Sequence, residues 1–196
     1  MLKRFFDIFC SLIGIILLSP LFLIICLLQI ISSGFPVFYI QNRVGKDNID
    51  FNLFKFRTMK TDSDKLGLLT VGGRDPRVTQ LGYYLRKFKI DEFPQLFNVL
   101  LGTMSLVGPR PEVRKYVDMY NEAQRHVLSV KPGITDYASI EFINENEMLA
   151  QSNEPEKTYI NDIMPKKLAL NLKYIKDQNL MVDLKIITKT ILKIAK

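Results

Sequence analysis

Hydrophobic positions divide the chain into a continuous apolar opening and a longer remainder in which apolar and charged residues alternate. From Ile8 to Ile31 no residue is charged. At about 1.5 Å per residue, such a run is long enough to cross a bilayer core of about 30 Å as a helix. A cleaved signal peptide does not fit, because its apolar core would be about 7–15 residues with a small-residue cleavage site after it. Ser19-Pro20 falls in the middle of the run, where proline removes a backbone donor and clashes with the carbonyl one turn back, so a kink is expected there. Lys3 and Arg4 precede the run, while Arg43, Lys46, Lys55, Arg57 and Lys60 follow it, and the positive-inside bias draws both ends to one side. We therefore expect residues 1–34 to form a re-entrant helix, broken at Ser19 and Pro20, in preference to a spanning helix merely bent at Pro20.

Beyond Gly34-Phe35-Pro36, Val37 to Arg43 and Phe51 to Thr58 read as two strands joined by a polar turn at residues 45–48, which makes a β-hairpin. Period-two alternation puts Lys55 and Arg57 on one face and Phe54 and Phe56 on the other. That is a small positive face, equally compatible with plain solvation. Residues 61–76 carry Asp62, Ser63, Asp64, Gly67, Gly72-Gly73 and Asp75-Pro76 and are expected to form a loop, either a lid or a connector. Val78, Leu81, Leu85 and Phe88 then recur at helical spacing beside Arg86, Lys87 and Lys89. At the C-terminal end, Leu184, Ile187, Ile191 and Ile194 form an apolar stripe next to a basic one of Lys185, Lys189, Lys193 and Lys196. The first pattern suits a basic amphipathic helix near the membrane surface or the substrate, and the second a helix lying on anionic lipid or packed on a core.

The segment with the most chemistry runs from Arg86 to Glu112. Phe93, Leu96, Phe97 and Leu100 share one face of a predicted helix and Asp91, Gln95 and Asn98 another. Pro94 is tolerated only in a first turn, which places Asp91 and Glu92 at the helix start. The bland reading is an N-cap aspartate and a first-turn glutamate favoured by the helix dipole. The sharper one is a pair of hard oxygen ligands for Mg²⁺ and phosphate among cations. Shortly downstream, Gly108-Pro109-Arg110-Pro111 sets an arginine between two residues of fixed φ, a preorganised phosphate clamp or a proline-rich turn with an exposed side chain.

Charge supports an anionic partner: 27 Lys and Arg oppose 20 Asp and Glu, for a net +7. Both cysteines, Cys10 and Cys26, lie in the apolar run and the sole histidine is His126, so neither a Cys/His zinc site nor a disulfide framework is expected. His126, next to Arg125, is read as a surface residue. The 196 residues allow one globular domain on a membrane anchor.

The ordered set KFRTM at 55–59, GGRDPRVTQLG at 72–82, DEFPQL from Asp91 to Leu96, SLVGPRPE at 105–112 and KPGIT at 131–135 resembles the bacterial sugar transferase family, the monotopic polyprenol-phosphate phosphoglycosyl transferases. The likeness spans most of the chain and is densest in 50–135. It implies an α+β fold: a kinked re-entrant membrane helix at 1–34, then a small, mainly helical catalytic domain at 35–196 with a short β-hairpin and interfacial amphipathic helices. It further implies transfer of a sugar phosphate from a UDP-sugar to polyprenol phosphate with release of UMP. Asp91 would be the nucleophile, Glu92 its partner in Mg²⁺ binding or acid–base work, and Arg110 a phosphate ligand, with Arg86, Lys55 and Arg57 as further phosphate-binding candidates. The expected setting is the cytoplasmic face of the bacterial inner membrane, with the bilayer as partner and a homodimer left open. The chain departs from the family pattern at Phe93 and Thr103 and in DYASIEFINENEML after KPGIT, so no particular sugar is implied. Asp183 matches a family position but equally suits a cap or an ion pair, and the chain would be a compact form without the extra transmembrane helices of longer relatives. A non-catalytic basic adaptor at the membrane surface also explains charge and amphipathic helices, though not adjacent acids beside a proline-locked arginine. Nucleic acid is not an expected partner, because no recognised binding motif is present.

Overall fold

In a computed structural model, residues 1–63, 67, 69–72 and 75–194 are described. Asp64, Gly73, Arg74 and Lys196, which belong to the loop, a motif and the C-terminal stripe above, lie outside the described residues. The chain opens with α1 (Leu2–Ser33), which carries Pro20 in its interior. Its burial is inverted relative to a soluble helix. Asp7, Ser11 and Gln29 are among its buried residues, while Phe5, Leu17, Leu23 and Ile31 are among many exposed apolar ones. An element with polar atoms inward and aliphatic ones outward is matched to lipid rather than water, and α1 is the one described helix long and apolar enough to cross a membrane.

Both ends of α1 are tied to the globular part. Lys3 Nζ donates to Asp183 at 2.5 Å and to the Val107 carbonyl at 3.1 Å. Arg4 reaches the Val99 and Leu100 carbonyls, and Asp7 accepts from Ser105 Oγ and from the Leu106 amide. At the other end Gln29 donates to the Arg57 carbonyl, and Phe22 meets Phe56 edge-on at 5.5 Å.

β1 (Phe38–Val44) and β2 (Asp50–Phe56) form the expected antiparallel hairpin, with Phe38 opposite Phe56. α2 (Gln80–Lys87) starts at Thr79, whose side chain accepts from the Gly82 amide at 3.0 Å. A Cβ at Gly82 would fall 2.1 Å from the Thr58 carbonyl oxygen, so the glycine lets two of the motif segments touch. α3 (Gln95–Leu101) ends at Gly102 with φ 91°, the left-handed cap that glycine accepts without strain.

A second, parallel pair of strands, β3 (Ser105–Val107) and β4 (Gly133–Thr135), has no counterpart in the sequence reading. It joins the SLVGPRPE and KPGIT segments. A Cβ on Gly133 would lie 2.0 Å from the Gly108 amide nitrogen, so these two backbones approach as only glycine permits. Short helices α4 (Arg114–Val117), α5 (Glu122–Arg125), α6 (Tyr137–Glu141), α7 (Glu145–Ala150) and α8 (Pro155–Thr158) lead through a π-helical turn to α9 (Met164–Asp177) and α10 (Leu180–Ile194). The largest core packs Val44, Tyr116, Val117, Leu149, Tyr159 and Ile163. A second core, Phe22, Ile25, Val37, Phe56 and Leu85, joins α1 to the hairpin and α2.

Candidate active site

Asp91 and Glu92 lie not in the first turn of α3 but in a separate 3-10 turn, Ile90–Glu92, with Pro94 at the helix N-cap. The physical reason is Lys89, whose left-handed φ of 56° reverses the chain just before the acids. A non-glycine residue in that region costs on the order of 1 kcal/mol and is held by its surroundings. The turn aims both carboxylates into a cavity of about 810 Å³ whose lining also includes Lys55, Arg86 and Arg110.

Glu92 is committed to Arg110. Arg110 Nη1 donates to Glu92 at 3.0 Å, and Nη2 donates to the other carboxylate oxygen, making a two-pronged pair. Such planar fork-to-carboxylate contacts are the strong form of the interaction. Burial by itself would push the Glu92 carboxyl up, but Arg110 and Lys55 outweigh it and hold it well below the ordinary carboxylate range. In return, Glu92 raises the Arg110 guanidinium. The Arg110 backbone is fixed as well: its amide donates at 3.1 Å to Asp136, a fully buried residue that also caps α6 through the Ser139 amide at 2.6 Å.

Asp91 differs in kind. It is 8% exposed, yet no described residue donates a hydrogen bond to its carboxylate. Burial, with the Glu92 charge beside it, raises its carboxyl to about 6. Burial likewise lowers the Lys55 ammonium to about 8, opposed by Glu92. Arg86 lines the same cavity and donates to Thr70 Oγ1 at 2.8 Å. Five of the six catalytic and phosphate-binding candidates thus meet in one place.

Arg57 does not join them. It is buried, and its guanidinium donates to the carbonyls of Ser33, Gly34 and Phe35 at 2.7, 2.6 and 3.1 Å. A cation there closes the C-terminal end of α1, where carbonyls lack partners. Strand alternation could assign Arg57 to the Lys55 face but could not foresee that the preceding helix would return to it.

Several cavity residues were not singled out from sequence. Glu112 accepts from Arg43 at 3.0 Å and from the Tyr159 hydroxyl, and Lys167 pairs with Glu145 at 2.7 Å. Glu112 stands inside SLVGPRPE and was legible there; the others come from distant elements without any local pattern. The apolar stripe Leu184, Ile187, Ile191 and Ile194 lines the same cavity, together with Phe6, Cys10 and Leu18 of α1. One chamber therefore joins a charged end to an aliphatic end built from α1 and α10. Asp183, left open from sequence, is 1% exposed and accepts from Lys3 and from the Tyr174 hydroxyl, which lies at 2.7 Å. It anchors α1 to α10.

A Mg²⁺ ion needs oxygen ligands and tolerates few from protein, completing its shell with water and substrate phosphates. Asp91 offers a carboxylate without a hydrogen-bond donor, which fits such an ion, whereas both oxygens of the neighbouring Glu92 already accept from Arg110. No group of three or more His, Cys, Asp or Glu side chains that could hold a metal exists among the described residues.

Comparison with known proteins agrees with the motif likeness. The chain is 40% identical, over 97% of its length, to the UDP-N-acetylgalactosamine-undecaprenyl-phosphate N-acetylgalactosaminephosphotransferase of Aeromonas hydrophila, covering 43% of that protein. It is 35% identical, over 98%, to the UDP-glucose:undecaprenyl-phosphate glucose-1-phosphate transferase of Escherichia coli (strain K12), covering 40%. It is 33% identical, over 96%, to the exopolysaccharide production protein ExoY of Sinorhizobium fredii, covering 83%. The chain thus spans less than half the length of the first two and most of the third. The family model described as bacterial sugar transferase matches residues 1–196, and the chain belongs to that family.

Proposed function

We propose that this protein moves a sugar 1-phosphate from a UDP-sugar to undecaprenyl or a similar polyprenyl phosphate, releasing UMP, as a membrane step of polysaccharide or glycoconjugate assembly. The observation that carries the proposal is the chamber itself. A carboxylate without a hydrogen-bond donor stands beside a Glu92–Arg110 pair and further cations, and the same space continues into an aliphatic wall. A diphosphate suits the first part and a prenyl chain the second. The names of the relatives point to the same pair of substrates.

In the first step an Asp91 carboxylate oxygen attacks the β-phosphorus of the donor. The bond from that phosphorus to the bridging oxygen breaks, and UMP leaves with the electron pair. The resulting aspartyl phosphosugar is attacked by a terminal oxygen of polyprenyl phosphate; the Asp91–phosphorus bond breaks and the carboxylate is restored. Splitting the transfer in two avoids bringing the diphosphate donor and the polyprenyl phosphate together at one phosphorus. Phosphoryl transfer needs mainly alignment and charge neutralisation, and Arg110, Lys55 and Arg86 supply both. Mg²⁺ held by Asp91 and phosphate oxygens would add to that neutralisation. Because Glu92 is locked by Arg110, its role is to fix the guanidinium and the local charge, while Asp91 remains available for bond formation.

The re-entrant reading of α1 belongs to this proposal. Lys3, Arg4 and Asp7 at one end of the helix and Gln29 at the other bind the same globular unit. That supports a helix that enters and leaves by the face bearing the active site, with Ser19 and Pro20 as its turning point on the cytoplasmic leaflet. A cysteine at exposed Leu2 should be labelled from the cytoplasmic side; labelling from the opposite side only would defeat this topology. UMP release from UDP-sugars in detergent, dependent on polyprenyl phosphate for multiple turnovers, tests the reaction. No release with any of a broad UDP-sugar panel would refute it.

A further inference from the structure

Resting on that reaction, we propose that Ser139 and Asn171 form the subsite that reads the hydroxyl or acetamido groups of the sugar being transferred. Among the described residues, five buried side-chain atoms lack a hydrogen-bond partner: Gln29 Oε1, Arg57 Nε, Gln95 Nε2, Ser139 Oγ and Asn171 Oδ1. Only the residues bearing the last two line the chamber that holds Asp91. Asn171, on α9, is 4% exposed. Burying a polar atom without a partner costs about 1–3 kcal/mol, so such atoms, on residues that line an internal space, are suited to a ligand that completes them.

Their position and charge narrow the ligand. Ser139 is tied to Arg110 through Asp136, whose carboxylate holds both amides, at 2.6 and 3.1 Å. Asn171 also lines a small adjoining cavity with Arg110, Pro111 and Glu112. Both residues therefore share a wall with the arginine proposed to hold the reacting phosphate, where the sugar is attached. The acids around them are already matched: Glu92 with Arg110, Glu112 with Arg43, Glu145 with Lys167. What is left for a ligand is neutral, a hydroxyl and an amide, and these are the groups that pair with an uncharged hexose or N-acetylhexosamine. A site built to hydrogen-bond a substrate group rejects the analogue that cannot offer it.

The test uses the full chain in detergent with undecaprenyl phosphate and four donors that differ only at C2 and C4: UDP-glucose, UDP-galactose, UDP-N-acetylglucosamine and UDP-N-acetylgalactosamine. The wild-type chain should prefer one of them. Asn171→Leu, a close match in volume that leaves no unpartnered amide, and Ser139→Ala should each lower kcat/KM for the preferred donor by about tenfold and shrink its lead over the poorest donor. Inhibition by UMP, which lacks the sugar, should not change, and the thermal midpoint should not fall. Equal use of all four donors by the wild type, unchanged selectivity in both variants, or a loss shared by every donor with weakened UMP inhibition would each overturn the assignment; the last would place these residues at the nucleotide. Absence of UMP release by the wild type would instead refute the reaction on which the assignment rests.

Discussion

The buried charges where α1 docks and those in the chamber are built in opposite ways. Where α1 docks, every charge is matched: Asp183 takes Lys3 and the Tyr174 hydroxyl, and Asp7 takes Ser105 and a backbone amide. In the chamber, Glu92 is matched by Arg110, but Asp91 beside it is given no donor and is held at a raised pKa of about 6. A fully satisfied buried charge rigidifies a junction. An unsatisfied one is costly unless something else completes it. The contrast separates a structural acid from the acid proposed to do chemistry, although Asp183 is the more buried of the two.

The sharpest way to break this contrast is to neutralise each acid. Asp91→Asn should lower UMP release by at least about 10³-fold while leaving the thermal midpoint unchanged or higher, because it removes a desolvated charge that no described side chain satisfies; full retained activity would end its proposed role. Next in size, Arg110→Lys keeps the charge but loses the fork that grips Glu92 and should cost about 10²-fold in kcat/KM, read in the same assay.

The pH profile of kcat/KM sharpens the contrast further. In the proposed reaction Asp91 must be ionised to attack, and its raised pKa means the rate should fall as pH drops through about 6. In the same proposal Lys55 must be protonated to hold phosphate, and its lowered pKa means the rate should fall as pH rises through about 8. Each limb should approach tenfold per pH unit, and Lys55→Arg should remove the alkaline limb alone. At the docking cluster the order of effects reverses. Asp183→Asn should cost about 2 kcal/mol of stability, seen as a lower melting temperature in detergent, with turnover per folded molecule reduced only a few-fold. Arg57→Lys should have the smallest catalytic effect, at most about threefold in kcat/KM, since its guanidinium serves the end of α1; a loss as deep as that of Arg110→Lys would return it to the phosphate site.

Much of this was legible in the residues. The apolar run, the hairpin, α2 and α10 follow from periodicity, because each buries or exposes a continuous face. The acidic pair and Arg110 could be singled out because proline and charge mark them locally. Other features could not be read. β3 and β4 are three residues each, too short for a pattern, and they exist because Gly108 and Gly133 allow two backbones to touch. The stripe on α10 was legible as a stripe, but nothing local told whether it meets core, lipid or a chamber.

Residue type and short-range spacing alone marked which side chains are candidates for chemistry and where the chain turns lipophilic. Only the tertiary structure decided that Arg57 closes a helix while Lys55 faces the acids, that Asp183 is an anchor, and that Ser139 and Asn171 stand unpartnered beside Arg110. Hydrogen-bond satisfaction depends on atoms brought together from segments far apart in the chain, and no local pattern encodes which of them will be left without a partner.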